Sequence, residues 1–165
     1  HRGQFVEQRE SNMLDGAAPW YTIYETSDGL RLSVGAIEPQ FFAQLCERIG
    51  LAPEWHAAQN DRMRWPQLRE EMAAIFRGRT RDAWAALLQD TDCCVAPVLS
   101  LGEAARHPHN SVRGTFVDVA GVSQPAPAPR FSRTPSQAGQ VAAQATAGAE
   151  VLARWTREPA ARSGT

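Results

Sequence analysis

The chain has 165 residues, enough for one domain with a real core. With 17 basic and 18 acidic residues, its formal net charge of −1 leaves no footprint for nucleic acid or an acidic membrane surface. All the basic residues are Arg, which excludes Schiff-base and P-loop lysine chemistry, and no apolar run approaches the ~18–20 residues of a membrane span.

Residues 1–12 are polar and read as a linker. Asn12 to Pro19 is turn-rich and carries the apolar pair Met13 and Leu14. Trp20 to Thr26 alternates and favours aromatic and β-branched types, which predicts a strand. Asp28-Gly29 signals a hairpin turn. Leu30, Leu32, Val34 and Ala36 then alternate with Arg31, Ser33, Gly35 and Ile37, a second strand with one buried face. Pro39 has a fixed φ and no N–H, so it suits a first helical position and keeps Glu38 extended before it. Glu38 is therefore expected at the N-cap, its carboxylate near the free N–H groups and the positive dipole end. Phe41, Phe42, Leu45 and Ile49 share one face of that helix, and Gly50 ends it.

Residues 51–64 form a loop rich in Pro, His and Asn. Pro66 opens a helix with the stripe Leu68, Met72, Ile75 and Phe76. Thr80 caps another that buries Trp84, Leu87 and Leu88. Cys93 to Leu99 predicts a third strand, placed at an edge or bulge by Pro97. Ser100 and Glu103 have capping-box spacing for a short helix, which His107-Pro108 stops. Gly114 to Val119 predicts a further strand. Four prolines then make 121–136 an extended connector, and the Ala-rich stretch 140–157 predicts a tail helix. The expected architecture is α+β: a small antiparallel sheet with flanking helices at 17–119, between linker arms at 1–16 and 120–165.

No complete catalytic constellation is present: GxSxG, HExxH, Walker and GxGxxG patterns are all missing. His107-Pro108-His109 lacks a placed third ligand, so no metal is expected, and His56 is read as solvated. The three cysteines are odd in number and form no CxxC, which argues against a disulfide framework or zinc site and for a reducing cytoplasm. Cys93 and Cys94 are expected in the core. Trp20, Trp84 and Trp155 are expected to pack on apolar faces. The chain lacks a signal-peptide pattern and begins at His1 without Met, which suggests a piece of something longer. Glu38 is the one acidic residue with an unusual backbone setting.

Three collinear stretches carry a resemblance: Asn12-Met13-Leu14-Asp15-Gly16-Ala17-Ala18-Pro19, Val34-Gly35-Ala36-Ile37-Glu38-Pro39-Gln40-Phe41 and Asp92-Cys93-Cys94-Val95-Ala96-Pro97-Val98-Leu99. They resemble the second half of the α-methylacyl-CoA racemases, a branch of the family III CoA-transferase group. Pro127-Ala128-Pro129-Arg130-Phe131-Ser132 resembles the returning linker of bacterial members. The exclusive use of Arg fits a GC-rich bacterial coding sequence. The resemblance implies a linker, the small α+β domain and a returning segment. The arms would embrace an absent Rossmann-like CoA-binding half that carries the family's catalytic His and Asp. It implies an interlocked homodimer acting on acyl-CoA thioesters in lipid metabolism, with no metal or organic cofactor beyond the CoA of the substrate. By resemblance Glu38 pairs with that His, and Met13, Leu14, Tyr21 and Ile37 match positions lining the acyl or thioester region. The alternatives are a CoA transferase of the same superfamily and a non-catalytic interaction module.

Overall fold

The computed structural model describes residues 5–139 and 147–156. Two compact units part between Leu99 and Ser100.

The first unit is built on a three-stranded antiparallel sheet in the order β1 (Tyr21–Glu25), β2 (Arg31–Gly35), β3 (Val95–Pro97). Tyr24 lies opposite Leu32, and Thr22 opposite Val34, so one face of the hairpin carries the buried set Tyr24, Leu32 and Val34. Cross-strand pairs of this kind are the unit of sheet stability. The Asp28 carboxylate at the hairpin turn lies 2.5 Å from the Thr26 hydroxyl and 3.3 Å from the Arg81 N–H. Strand β3 is at the edge, where a proline costs no internal ladder bond, and Pro97 sits opposite Leu32.

Three helices cover the buried face. Helix α1 (Pro39–Ile49) buries Phe42, Leu45, Cys46 and Ile49. Its end follows from Gly50, whose φ of 75° lies in the left-handed region that glycine adopts without a Cβ penalty. The Leu51 N–H then reaches the Cys46 carbonyl at 2.9 Å and the Gly50 N–H the Glu47 carbonyl at 3.3 Å, a Schellman closure. Helix α2 (Trp65–Phe76) buries Leu68, Met72 and Phe76. Helix α3 (Arg81–Leu88) starts where the Thr80 hydroxyl accepts from the Ala83 N–H. The indole of Trp84 donates to the Phe76 carbonyl at 2.8 Å, and its ring meets Phe76 edge-on at 5.4 Å between centroids.

In the second unit, α4 (Leu101–Ala104) has the Ser100–Glu103 capping box, and α5 (Pro108–Val112) follows. Strands β4 (Phe116–Val119) and β5 (Val122–Pro125) form a hairpin, and α6 (Gly148–Trp155) is the last element.

Several expectations need correction. The 51–64 loop contains a 3₁₀ turn, Pro53–Ala58, that buries Trp55. Leu87 is exposed, because α3 turns Trp84 and Leu88 inward and leaves their neighbour on its outer side. Pro108 opens a helix rather than only ending one, at the first-turn position where its missing N–H costs nothing. The stretch read as connector holds β5, whose pairing with β4 overrides the local signal of its prolines. Cys93 is buried but Cys94 is exposed, since Cys94 takes a left-handed φ of 53° as the chain enters β3. Trp155 is 78% exposed on α6 rather than packed. Residues 140–146 and 157 of the expected tail helix lie outside the described residues. No helix among the described residues is long and apolar enough to cross a membrane.

Candidate functional site

The site begins where β2 hands over to α1. The Gly35 N–H donates to the Cys94 carbonyl at 2.9 Å, the last tie to the edge strand. The Ile37 N–H then turns back to the Gly35 carbonyl at 2.9 Å, so the backbone leaves the sheet tightly. Glu38 occupies the N-cap with φ −72° and ψ 138°, and Pro39 opens the helix behind it. Its carbonyl accepts from the Phe41 and Phe42 N–H groups, both at 3.0 Å. Its carboxylate makes no capping bond, contrary to the expected use of the helix's free donors, and the residue is exposed.

Gln59 holds this junction from behind. The residue is 3% exposed, and its side-chain amide donates to the Ile37 carbonyl at 2.9 Å and the Ala36 carbonyl at 3.2 Å. Its backbone carbonyl accepts from two indoles, Trp20 at 2.9 Å and Trp65 at 2.8 Å. Sequence reasoning missed Gln59 because it lies in a polar loop. Trp55 within that loop and Trp65 just after it are both buried, although the sequence alone does not decide between packing and exposure for either.

Beside the sheet, residues Met13–Ala17 form a π-helical turn. The Asp15 carboxylate accepts from the Asn12 N–H at 2.8 Å and the Asn12 amide at 2.7 Å. The Asn12 side-chain bond is the main reason its carboxyl sits below the usual aspartate range. Gly16 has φ 103°, which a side chain would strain. The Arg69 guanidinium donates to the Gly16 and Ala17 carbonyls and to the Thr22 hydroxyl, tying the turn to α2 and β1. Arg69 too was missed, since on a helix it reads as a solvated face.

The turn and the strands bound an open cleft of about 560 Å³, lined among others by Leu14, Tyr21, Thr22, Ile23, Ser33 and Arg69. Leu14 and Tyr21 therefore share one cavity. Met13 and Ile37, each 39% exposed, and Glu38 lie outside its lining. Cys94 is close enough to Glu38 to feel its charge. Burial first, and the Glu38 carboxylate second, push the Cys94 thiol up. No group of three His, Cys, Asp or Glu residues that could hold a metal occurs among the described residues.

The chain can be placed among known proteins. The sequence profile of CoA-transferase family III matches residues 1–149, and the chain belongs to that family. Within it, the chain is 42% identical over 135 residues to an α-methylacyl-CoA racemase of Mus musculus, covering 81% of this chain and 35% of that protein. The Homo sapiens α-methylacyl-CoA racemase is 42% identical over 130 residues, covering 78% of this chain and 34% of that protein. The chain thus spans about a third of the length of these curated relatives. Among solved structures, the Mycobacterium tuberculosis protein Rv3272 in its orthorhombic form matches with a TM-score of 0.57 at 18% identity, over 68% of this chain and 32% of that one. A second structure of Rv3272 gives a TM-score of 0.58 at 18% identity, over 68% of this chain and 33% of that one. That likeness establishes a shared α+β fold.

Proposed function

We propose that the chain is the C-terminal part of an α-methylacyl-CoA racemase, which interconverts the two configurations at C2 of a 2-methylacyl-CoA. The observation that carries the reading is the exposed Glu38 carboxylate, uncapped at the strand–helix junction, in a chain 42% identical to two such racemases.

The reaction is a 1,1-proton transfer. A base takes the α-proton on one face, leaving an enolate whose charge rests on the thioester oxygen, and an acid returns a proton on the other face. The C–H bond broken and the C–H bond formed are at the same carbon. The thioester supplies the acidity and hydrogen-bond donors stabilise the oxyanion, so no metal or organic cofactor is required. His and Asp of an N-terminal CoA-binding half would be the proton-transferring groups. Glu38 would orient that His and support its protonated form, the part a third group plays in catalytic triads. Leu14 and Tyr21, in the cleft, would line the acyl or thioester region, with Met13 and Ile37 at its margin. Met13 suits variable acyl chains because methionine repacks readily. The working unit would be an interlocked homodimer in the cytoplasm, with the small domain of one subunit facing the large domain of the other.

The test is α-proton exchange with solvent deuterium on a 2-methylacyl-CoA, followed by NMR in the complete enzyme. Exchange is expected, and Glu38→Gln should lower its rate by about 10²- to 10⁴-fold. Acyl transfer between CoA donors without α-proton exchange would instead favour the transferase reading.

A further inference from the structure

We infer that the buried Gln59 side chain is the positioning residue for Glu38, setting where its carboxylate stands by holding the two carbonyls immediately before it. This rests on the reading of Glu38 given above.

The two roles of Gln59 are carried by different atoms. Its backbone carbonyl receives the Trp20 and Trp65 indoles and serves the core. That role survives any change of side chain. The side-chain amide makes bonds to Ala36 and Ile37. Both partners are acceptors, so the amide must present its NH₂ group to them, and its orientation follows from the network.

The Ile37 carbonyl shares a rigid peptide plane with the Glu38 nitrogen. Fixing that oxygen fixes the plane from which Glu38 starts. Downstream, Pro39 restricts the Glu38 backbone, and the Glu38 carbonyl is bound by the first turn of α1. Glu38 is thus pinned on both sides, from α1 and from a loop residue 22 positions away from Ile37. The backbone position and Cα–Cβ direction from which the carboxylate extends are thereby set. The chain also crosses from core to surface at this point, since Ala36 is fully buried and Ile37 is 39% exposed. A slip of the Ile37 plane would therefore swing Glu38 rather than disturb the core.

The side-chain requirement is specific. Leucine offers no donor. An ionised glutamate would aim a carboxylate at two carbonyl oxygens, whereas a protonated one could donate to one of them.

The experiment compares native, Gln59→Leu, Gln59→Glu and Glu38→Gln in the complete enzyme, with NMR on the 165-residue chain. Misplacing a catalytic group by about 1 Å costs on the order of a hundredfold. Gln59→Leu should lower kcat by about 10- to 100-fold with KM within about twofold. Gln59→Glu should lose as much at pH 8, and its kcat relative to native should recover several-fold towards pH 6 as the buried carboxyl takes a proton. In the Glu38→Gln background, Gln59→Leu should add less than about a twofold loss. In the chain, Gln59→Leu should shift the Ala36 and Ile37 carbonyl ¹³C resonances and loosen the Glu38 amide, while the Trp20 and Trp65 indole N–H signals stay native. An unmoved Glu38 amide, or an equal loss in both Glu38 backgrounds, overturns the inference. Native kcat in Gln59→Leu, with activity lost in Glu38→Gln, overturns this inference alone. Native turnover in Glu38→Gln overturns it together with the reading of Glu38.

Discussion

At the scale of single residues, the three thiols differ in ways that burial decides. Cys46 and Cys93 are buried; Cys94 is exposed. Burial pushes the Cys46 thiol up to about 12, so at neutral pH it is un-ionised as well as covered. A native-state reaction with a disulfide reagent such as DTNB should therefore label one thiol, Cys94, and the other two only after unfolding. The Cys94 thiol is itself raised, by burial and by the Glu38 charge, so its labelling should climb with pH later than that of a free thiol. Glu38→Gln removes a negative charge, lowers the Cys94 pKa and should speed labelling at pH 8 by about twofold, given the solvent screening at this surface. An unchanged rate would mean that the two side chains do not sense each other in solution. The residue scale also marks where sequence reading stopped. Glu38 stood out because Pro39 constrains its backbone. Gln59 did not, because nothing in a polar loop says that one amide will turn inward.

At the scale of elements, local chemistry set the boundaries well. Pro39 opens α1, Thr80 caps α3 and Ser100 with Glu103 caps α4, each where a free N–H or fixed φ requires it. The α1 terminus makes a quantitative test. Nothing lies within 4 Å of a Cβ built on Gly50, so Gly50→Ala would be penalised by its left-handed backbone alone. The expected loss is about 1 kcal/mol, a fall of about 2–4 °C in the melting midpoint. A midpoint within error of native would mean that the Schellman closure is loose. Signals failed where pairing partners are distant. β5 contains a proline and sits in a Pro-rich stretch, yet the backbone of β4 recruits it. Leu87 matched the apolar stripe of its helix, but α3 is packed on one narrow side and that position points outward.

At the scale of the whole molecule, the sheet presents two different faces. One is sealed by α1, α2 and α3. The other carries Tyr21, Ile23 and Ser33 into the open cleft beside the 13–17 turn. On the proposed reading, the proton-transferring His and Asp lie outside this chain. The chain by itself should then show no α-proton exchange above the uncatalysed rate when incubated with 2-methylacyl-CoA in deuterium oxide. Exchange by the isolated chain would place the base within these 165 residues and remove the need for a second half.

The sequence by itself determined the hairpin, the proline-started helix after it, most caps and the membership of the 12–19, 34–41 and 92–99 stretches in one family. The hairpin, the helix and the caps depend on neighbours within a few positions, through φ restriction, alternation and helical spacing, whereas the family rests on the resemblance of whole motifs. The tertiary structure decided what long-range packing decides: that Gln59 reaches back to the Ala36 and Ile37 carbonyls, that Arg69 anchors the Gly16 turn, and that Cys94 faces outward while Cys93 does not. A buried polar group must find its partner wherever the fold brings an acceptor, and that position is set by the whole core rather than by adjacent residues.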